Sequence, residues 1–592
     1  MLKCSSCGHE NEGTPKFCGK CGTAFEAAAP AAEATPVTEP AVEATPAAEP
    51  AAIKAEPVAV PVTEATPVAE PVVTAEVDSS VEASAIASSV NLDMKKVLTI
   101  AIPAVAIVVI AAIIALVLGG TSSYGEIKGF QLMETDGRTL IATPNGSSHT
   151  INEEYHSHQL SLDGSQMAVM TDWEWGYGGV LYHVSGNKAP VRIAEDVYGF
   201  IISDNGNGVA FYTNYDREHE VADLNLYNAK NKSTLRVDPN AYFSSSMEMV
   251  AISPDGKTVF YTSEDDVNQD GSTTWITMVS NRGKNDNVGR ELFPIAVGDN
   301  AKFLYYNKGN DDWSQTLFVR RGINANESRL GDNPWGYSFN KDYSSIVYNS
   351  DGASYISVKG GERERLSRVD GGIISFITPE FTQARYYNGY TVYGFSDFKN
   401  KAFTSGNGWS SEIWLLNRKY ETNRISNEAQ NITMSQDGKW LYFMDSSRLR
   451  RASATNPDAE RLTVANNVQN YTLSKKGDSV YYINVHGEMF LKKAADEGNE
   501  GKKVADDVFA YQLFTSHAGV VFFFTDYSST RSEGMLNWTT NTKRNRVRDV
   551  SMAWADGSSV YFAILDGDFA EIHRSNGNGK FKQFARDIED VY

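Results

Sequence analysis

At 592 residues the chain is long enough for several domains and a large core. Its formal charge of −20 is spread out: six lysines, no arginine and fourteen acids through Lys96 give −8, and the remainder carries −12. Neither part has the basic face that a general nucleic-acid binder needs to displace counterions from phosphates.

Residues 1–24 contain all four cysteines, as Cys4-x2-Cys7 and Cys18-x2-Cys21. Each knuckle turns two thiolates toward one point, and two knuckles complete a tetrahedral S4 site for zinc, with Cys4, Cys7, Cys18 and Cys21 as ligands. Gly8, Gly19 and Gly22 supply the permissive backbone of the turns. Two disulfides, or free thiols, are the alternatives to metal. The stretch including Phe17-Cys18-Gly19-Lys20-Cys21-Gly22 resembles the short bacterial zinc-ribbon family found at the N-termini of membrane proteins. That resemblance implies a structural zinc that provides most of the module's folding free energy and leaves no open coordination position for catalysis. Three lysines are a thin basic supply for nucleic acid, so docking to a cytoplasmic protein is the expected use.

Residues 25–94 form an Ala/Pro/Glu-rich linker with a loose repeat, Glu43-Ala44-Thr45-Pro46 and Glu64-Ala65-Thr66-Pro67. Frequent proline and mutually repelling acids predict an extended, disordered tether. Residues 95–120 are read as one transmembrane helix. Its uncharged core, 97–118, is about 33 Å long as a helix, which matches a bilayer's hydrocarbon thickness. A buried soluble helix is the alternative, but such a helix is rarely apolar on every face. Lys95 and Lys96 precede the span, and Gly119-Gly120-Thr121-Ser122 follows it. Positive charge favours the cytoplasmic side, and thiolate ligands favour a reducing compartment. The expected topology is a single-pass cell-membrane protein, N-terminus cytoplasmic and C-terminal domain extracytoplasmic.

Residues 123–592 repeat one pattern, a small polar turn followed at fixed offset by an apolar or aromatic strand. Ser253-Pro254-Asp255-Gly256 leads to Val259-Phe260-Tyr261, Asp437-Gly438 to Leu441-Tyr442-Phe443, Lys476-Gly477 to Val480-Tyr481-Tyr482, and Asp556-Gly557 to Val560-Tyr561-Phe562. Weaker copies begin at Asp163, Asn205, Asp299 and Asp342, and degenerate ones lie near Asp397 and His517. Ten turns about 39 to 55 residues apart have the period of four-stranded propeller blades. The Asp-Gly turn accepts positive φ, and the strand after it carries the large side chains that fill the space between blades. The Ser-Pro-Asp-Gly turn with its aromatic strand resembles TolB-like and WD-type β-propellers. The expected fold is mainly β: one large ring of eight to ten blades, or two smaller propellers. The 125–143 segment is expected to close a ring with the C-terminus.

Three features bear on chemistry. Asp266, Asn268, Asp270 and Ser272 place oxygen ligands at alternating positions around Gly271, as in the first half of a calcium loop, although Thr277 stands where an EF-hand has its bidentate Glu. An ordinary Asp/Asn/Gly-rich turn is the alternative. His156 and His158 share one side of a strand, a pairing that without a third ligand reads as packing. Trp173-Glu174-Trp175 offers rings that stack a sugar or peptide, or fill a blade core. No Gly-x-Ser-x-Gly, His-Glu-x-x-His or Walker loop is present, so no catalytic residue is expected. The chain therefore reads as a cell-surface binding, scaffold or sensor protein. Its propeller would take a protein, peptide or envelope glycan, with structural zinc and candidate calcium as its metals. The alternative is a carbohydrate-active hydrolase or lyase with carboxylates gathered at the channel.

Overall fold

The computed structural model describes Leu2, Lys3, Glu10, Asn11 and residues 128–592, apart from 268–272, 310–313, 371, 380–383, 388, 407–410 and 497–499. The chain divides into two units, Met1–Leu92 and Asp93–Tyr592. In the first, Leu2–Lys3 pairs antiparallel with Glu10–Asn11, on either side of the Cys4-x2-Cys7 sequence. The zinc-ligand cysteines, the linker and the apolar span lie outside the described residues. Among the described residues, no helix is long and apolar enough to cross a membrane.

In the second unit the repeated turn builds itself from local hydrogen bonds. Ser253 Oγ donates to Asp255 Oδ1 (2.8 Å) and accepts the Thr258 N–H (3.0 Å). Ser435 does the same with Asp437 (2.7 Å) and the Trp440 N–H (3.0 Å), and Ser161 with Asp163 (2.8 Å) and the Gln166 N–H (3.0 Å). In the turn after Trp335–Asn340, Asn340 replaces the serine, its Oδ1 accepting the Ser345 N–H (2.9 Å). Gly256 sits at φ +72°, and a β-carbon there would lie 2.6 Å from the backbone nitrogen of Gly208 in the neighbouring blade. Glycine is needed at that position both for conformation and for close approach.

Each turn joins the first two strands of a four-stranded antiparallel sheet, and the second strand buries large side chains on both faces. Tyr212, Tyr261, Tyr305, Tyr348, Tyr442 and Tyr561 are among the largest fully buried residues, and all lie on such second strands. Two of their hydroxyls cross between sheets: Tyr348 Oη donates to the Leu330 carbonyl (2.6 Å) and Tyr442 Oη to that of Gly477 (2.7 Å).

Eleven such units follow one another, numbered here as blades 1 to 11: 131–151, 155–197, 199–242, 250–290, 292–332, 335–370, 373–429, 430–465, 468–505, 508–550 and 552–588. The long strand Thr422–Met434 serves blades 7 and 8. First strands of successive blades approach one another, so they line the inside. Apolar clusters join blade 1 to 2, 2 to 3 and 4 to 5, and then continue from blade 6 through to 11. A further cluster joins blade 11 back to blade 1 through Ile572, Tyr561, Met133 and Ala142. Blade 1 has no first-strand turn of its own. Its inner strand is Asp590–Val591, which pairs with Met133 and Glu134 of Gln131–Thr135. The expected closure is observed. Ten turns plus one blade assembled from two distant segments make eleven blades among the described residues, one more than the eight to ten expected from turns alone.

One element breaks the repeat. Between the first and second strands of blade 7, a hairpin of Ala384–Tyr387 and Tyr390–Tyr393 lies parallel against Trp335–Asn340, the inner strand of blade 6. From there Arg385 reaches across the ring: Nη1 donates to the Ile202 carbonyl (2.9 Å) and Nη2 to Gln159 Oε1 (3.2 Å). Tyr390 and Val392 join one core with residues of blades 2 through 6. The hairpin thus ties blade 6 to blades 2 and 3 through the middle.

A candidate binding face on blades 2 to 6

The blades present two faces, one carrying the first turns and the other the loops between second and third strands. On the turn face, hydrogen bonds link neighbouring turns. The Asp255 N–H donates to Asp299 Oδ1 (2.8 Å), linking the turns of blades 4 and 5. Burial raises the carboxyl pKa of Asp204, Asp299 and Asp556, the last to about 6. These three acids occupy the turns of blades 3, 5 and 11.

The loop face carries the aromatic surface. His156 and Trp173 come from adjacent strands of blade 2, and their rings stack at 4.7 Å and 15°. Trp175 meets Trp173 edge-on at 6.1 Å, yet 75% of it remains exposed, as does 69% of Tyr177 beside it. The Arg217 guanidinium, from the loop of blade 3, stands 5.9 Å from the Trp175 ring centre. Tyr198, Tyr215 and Phe243 continue the cluster toward the axis, and Tyr198 Oη is fixed by the Gly176 carbonyl (3.2 Å). His156, Trp173, Trp175 and Tyr198 border a cleft of about 380 Å³ whose polar lining includes Ser157, His158, Gln159, Ser245 and Ser246.

The loop 243–249 separates this cleft from a second cavity of about 260 Å³ nearer the axis. Glu248 and Met249 of that loop form one wall, Phe293, Pro294 and Ile295 of blade 5 a second, and Tyr337 with Tyr390 a third. Larger grooves of about 700 and 680 Å³ lie between blades 8 and 9 and between blades 7 and 8. Three of the arginines lining them are ion-paired within the fold: Arg448 and Arg450 share Asp445 (3.2 Å each), and Arg424 pairs with Glu412 (2.9 Å).

His156, His158, Trp173 and Trp175, singled out in the sequence, all line this cleft. His156 packs on Trp173, and His158 Nδ1 lies 2.9 Å from Tyr155 Oη. Burial lowers both imidazole pKa values, which favours the neutral rings. Among the described residues no group of three or more His, Cys, Asp or Glu side chains is placed to hold a metal. The candidate calcium residues Asn268, Asp270 and Ser272 lie outside the described residues. Asp266 is described only as backbone of Thr258–Val267, so the loop connects the second and third strands of blade 4. Of the aromatic candidates, Trp173 packs against the core between blades 2 and 3 while Trp175 faces outward. Sequence reasoning missed Tyr177, Tyr198, Arg217 and the loop 243–249. They carry no motif and meet only because blades 2 to 4 stand side by side.

No protein-family model matches the chain, and no curated protein matches it. Among solved structures, a eukaryotic initiation factor is similar over 78% of this chain and 98% of its own, at 10% identity and a TM-score of 0.38. The β-propeller domain of the Trilobed protease from Pyrococcus furiosus covers 53% of this chain and 95% of its own, at 11% identity and TM-score 0.28. A protein of Agrobacterium tumefaciens assigned as a TolB covers 41% and 89%, at 15% identity and TM-score 0.25. The β-propeller assignment rests on the strand order and blade-to-blade packing of the chain itself.

Proposed function

We propose that this chain is a membrane-anchored extracytoplasmic binding protein whose ligand lies across the loop face of blades 2 to 5, from Trp175 toward the axis. The observation that carries the reading is the exposed Trp175–Tyr177 platform beside a polar-lined cleft. Large rings left in water cost free energy that a stacking ligand recovers, and the neighbouring histidines contribute no net charge while neutral. The cytoplasmic zinc ribbon would dock a partner, and the linker would let it search a wide radius. A disordered tether transmits conformational change poorly, so signalling by clustering or recruitment fits better than signalling by a rigid lever.

The test uses the full-length protein in nanodiscs and isolated envelope material, intact or protease-treated. Retention on the envelope should fall at least tenfold for Trp175→Ala with Tyr177→Ala. Retention unchanged by both substitutions removes the loop face from the reading. A hydrolase or lyase would instead release reducing ends from the same material over time.

A further inference from the structure

The two faces of the ring carry opposite charge. The loop from the third to the fourth strand of a blade returns to the end that bears the first turn. Thus the N–H groups of Gly186, Ala229 and Arg282 donate to the carbonyls of Ser165, Asn207 and Lys257 in the first turns (2.9, 2.8 and 3.0 Å). In blades 2 to 5 these loops hold Lys188, Lys230, Lys232, Arg282 and Arg321 and no acid. In blades 10 and 11 they hold Lys543, Arg544 and Lys580, again with no acid. All of these residues are exposed, and among the described residues none of them is in an ion pair. Outside that arc, in blades 8 and 9, the same loops carry acids, among them Asp458, Glu460, Asp496 and Glu500. The connections from each fourth strand to the next blade lie on the opposite face; they hold Glu153, Glu154, Glu248, Glu291, Asp506 and Asp507, and no lysine or arginine. The chain enters on the basic side. The Lys128 N–H donates to the Asp163 carbonyl in the turn of blade 2 (2.7 Å), and Gly129 abuts Gly557 in the turn of blade 11. Blades 10, 11 and 1 to 5 follow one another around the ring, so the basic loops flank that entry point.

We infer that the turn face of blades 10, 11 and 1 to 5 rests on the anionic headgroups of the bilayer that anchors the chain. This rests on the membrane-anchored reading above and adds how the ring is held, with the loop face and Trp175 turned away from the bilayer. Residues 119–127 separate Leu118, the last of the apolar stretch, from Lys128, a reach of at most about 35 Å. Second strands such as Gln166–Glu174 and Val521–Ser528 set the two faces about 26–30 Å apart. A tether of that reach, fixed among the turns, brings the turn face to the headgroups. Laying the loop face down would require it to pass around the outer strands as well. The chain beyond Lys96 carries −12, so contact with an anionic surface demands that acids be kept off the contacting side. Each lysine or arginine at such a surface contributes roughly fivefold in affinity, within a Debye length of about 10 Å. A soluble polyanion matches the same charge; the short tether is what favours the bilayer.

Photo-crosslinking of the full-length protein to lipid tests the inference. The crosslinker benzoylphenylalanine replaces Asn187, beside Lys188 on the turn face, or Tyr177 on the loop face. The protein is placed in nanodiscs of phosphatidylcholine alone, or with about a third phosphatidylglycerol. In the anionic discs, lipid adducts at position 187 should exceed those at 177 at least fivefold, and should fall at least threefold in the neutral discs. Lys188→Glu with Lys230→Glu and Lys232→Glu should bring the same fall in the anionic discs. Salt at about 1 M, which cuts the Debye length to about 3 Å, should bring it in the parent protein and needs no variant to fold. Equal adducts at the two positions, or a yield at 187 that ignores lipid charge and salt, overturns the inference. So does a yield unchanged by the triple reversal in a variant that melts like the parent. Polyglycerol phosphate that is crosslinked at 187 in neutral discs, where anionic lipid in the other discs is not, assigns the face to a soluble polyanion and also overturns it. If the protein resists alkaline extraction from vesicles, those outcomes leave the anchored reading standing; if it is extracted, both fall.

Discussion

Asp556 shows how one residue of a repeated turn departs from its siblings. In the turns of blades 2 and 4 the aspartate is pulled toward ionisation; the Ser161 and Ser165 hydroxyls and the Ser165 N–H outweigh burial and hold Asp163 below the usual carboxylate range, as Lys257 and Ser253 do for Asp255. Asp556 is instead pressed against Gly129, where a β-carbon would lie 2.0 Å from its Oδ1, and its Oδ2 is buried without a hydrogen-bond partner. Burial raises its pKa to about 6, with Arg574 pulling the other way. A carboxyl with a raised folded-state pKa stabilises the fold most below the unfolded value, near 3.9, and that contribution is lost as pH rises through about 6. Asp556→Asn should match the parent near pH 4 and exceed it by about 2–3 kcal/mol at pH 7. Urea unfolding at the two pH values checks this, and a difference independent of pH would contradict it.

The inserted hairpin, 384–393, is the element that departs from blade symmetry, and Arg385 is its anchor. Its guanidinium lies 3.5 Å from Asp204 Oδ1, a carboxylate buried in the turn of blade 3. Arg385→Met removes the bonds to Ile202 and Gln159 and strands that carboxylate, at an expected cost of about 3–5 kcal/mol. Hydrogen exchange should then rise in 384–393 and in the inner strands of blades 2 and 3 while blades 8 to 10 remain protected. Adding Asp204→Asn should recover part of the loss, because the uncompensated charge is gone. The hairpin was not legible from sequence. Its Tyr-rich strands look like two more blade strands, and its effect was visible only as the widest gap between turns, ahead of Asp397.

At the scale of the whole molecule, closure depends on the last residues. The Glu589 N–H donates to the Glu134 carbonyl (2.9 Å), the Tyr592 N–H to that of Leu132 (3.0 Å), and the Tyr592 ring stacks on Tyr155 at 4.0 Å. These contacts fasten blade 1 to strands 455 or more residues away in the chain and extend to blade 2. Removing 589–592 leaves blade 1 with three strands and an open inner edge. The expected loss is about 4–6 kcal/mol, from a few hydrogen bonds at about 1 kcal/mol each and one aromatic stack. Differential scanning calorimetry should show a melting point several degrees lower, and an unchanged melt would show that the ring does not depend on this strand.

The polar turn and aromatic strand were readable because their causes are local. A serine or asparagine, an aspartate and often a glycine satisfy one another within about five residues, and the second strand's alternation follows from burial on both faces. Such short-range chemistry predicts the kind of blade and its period wherever it recurs. Tertiary structure alone decided that the blades of the described residues number eleven, that a hairpin crosses the ring, and that Trp175 faces Arg217 while Asn307 stands beside Tyr337. Those outcomes join residues tens to hundreds of positions apart. They depend on how many blades complete the circle and which loops the circle brings together, and no local pattern of residues encodes that sum.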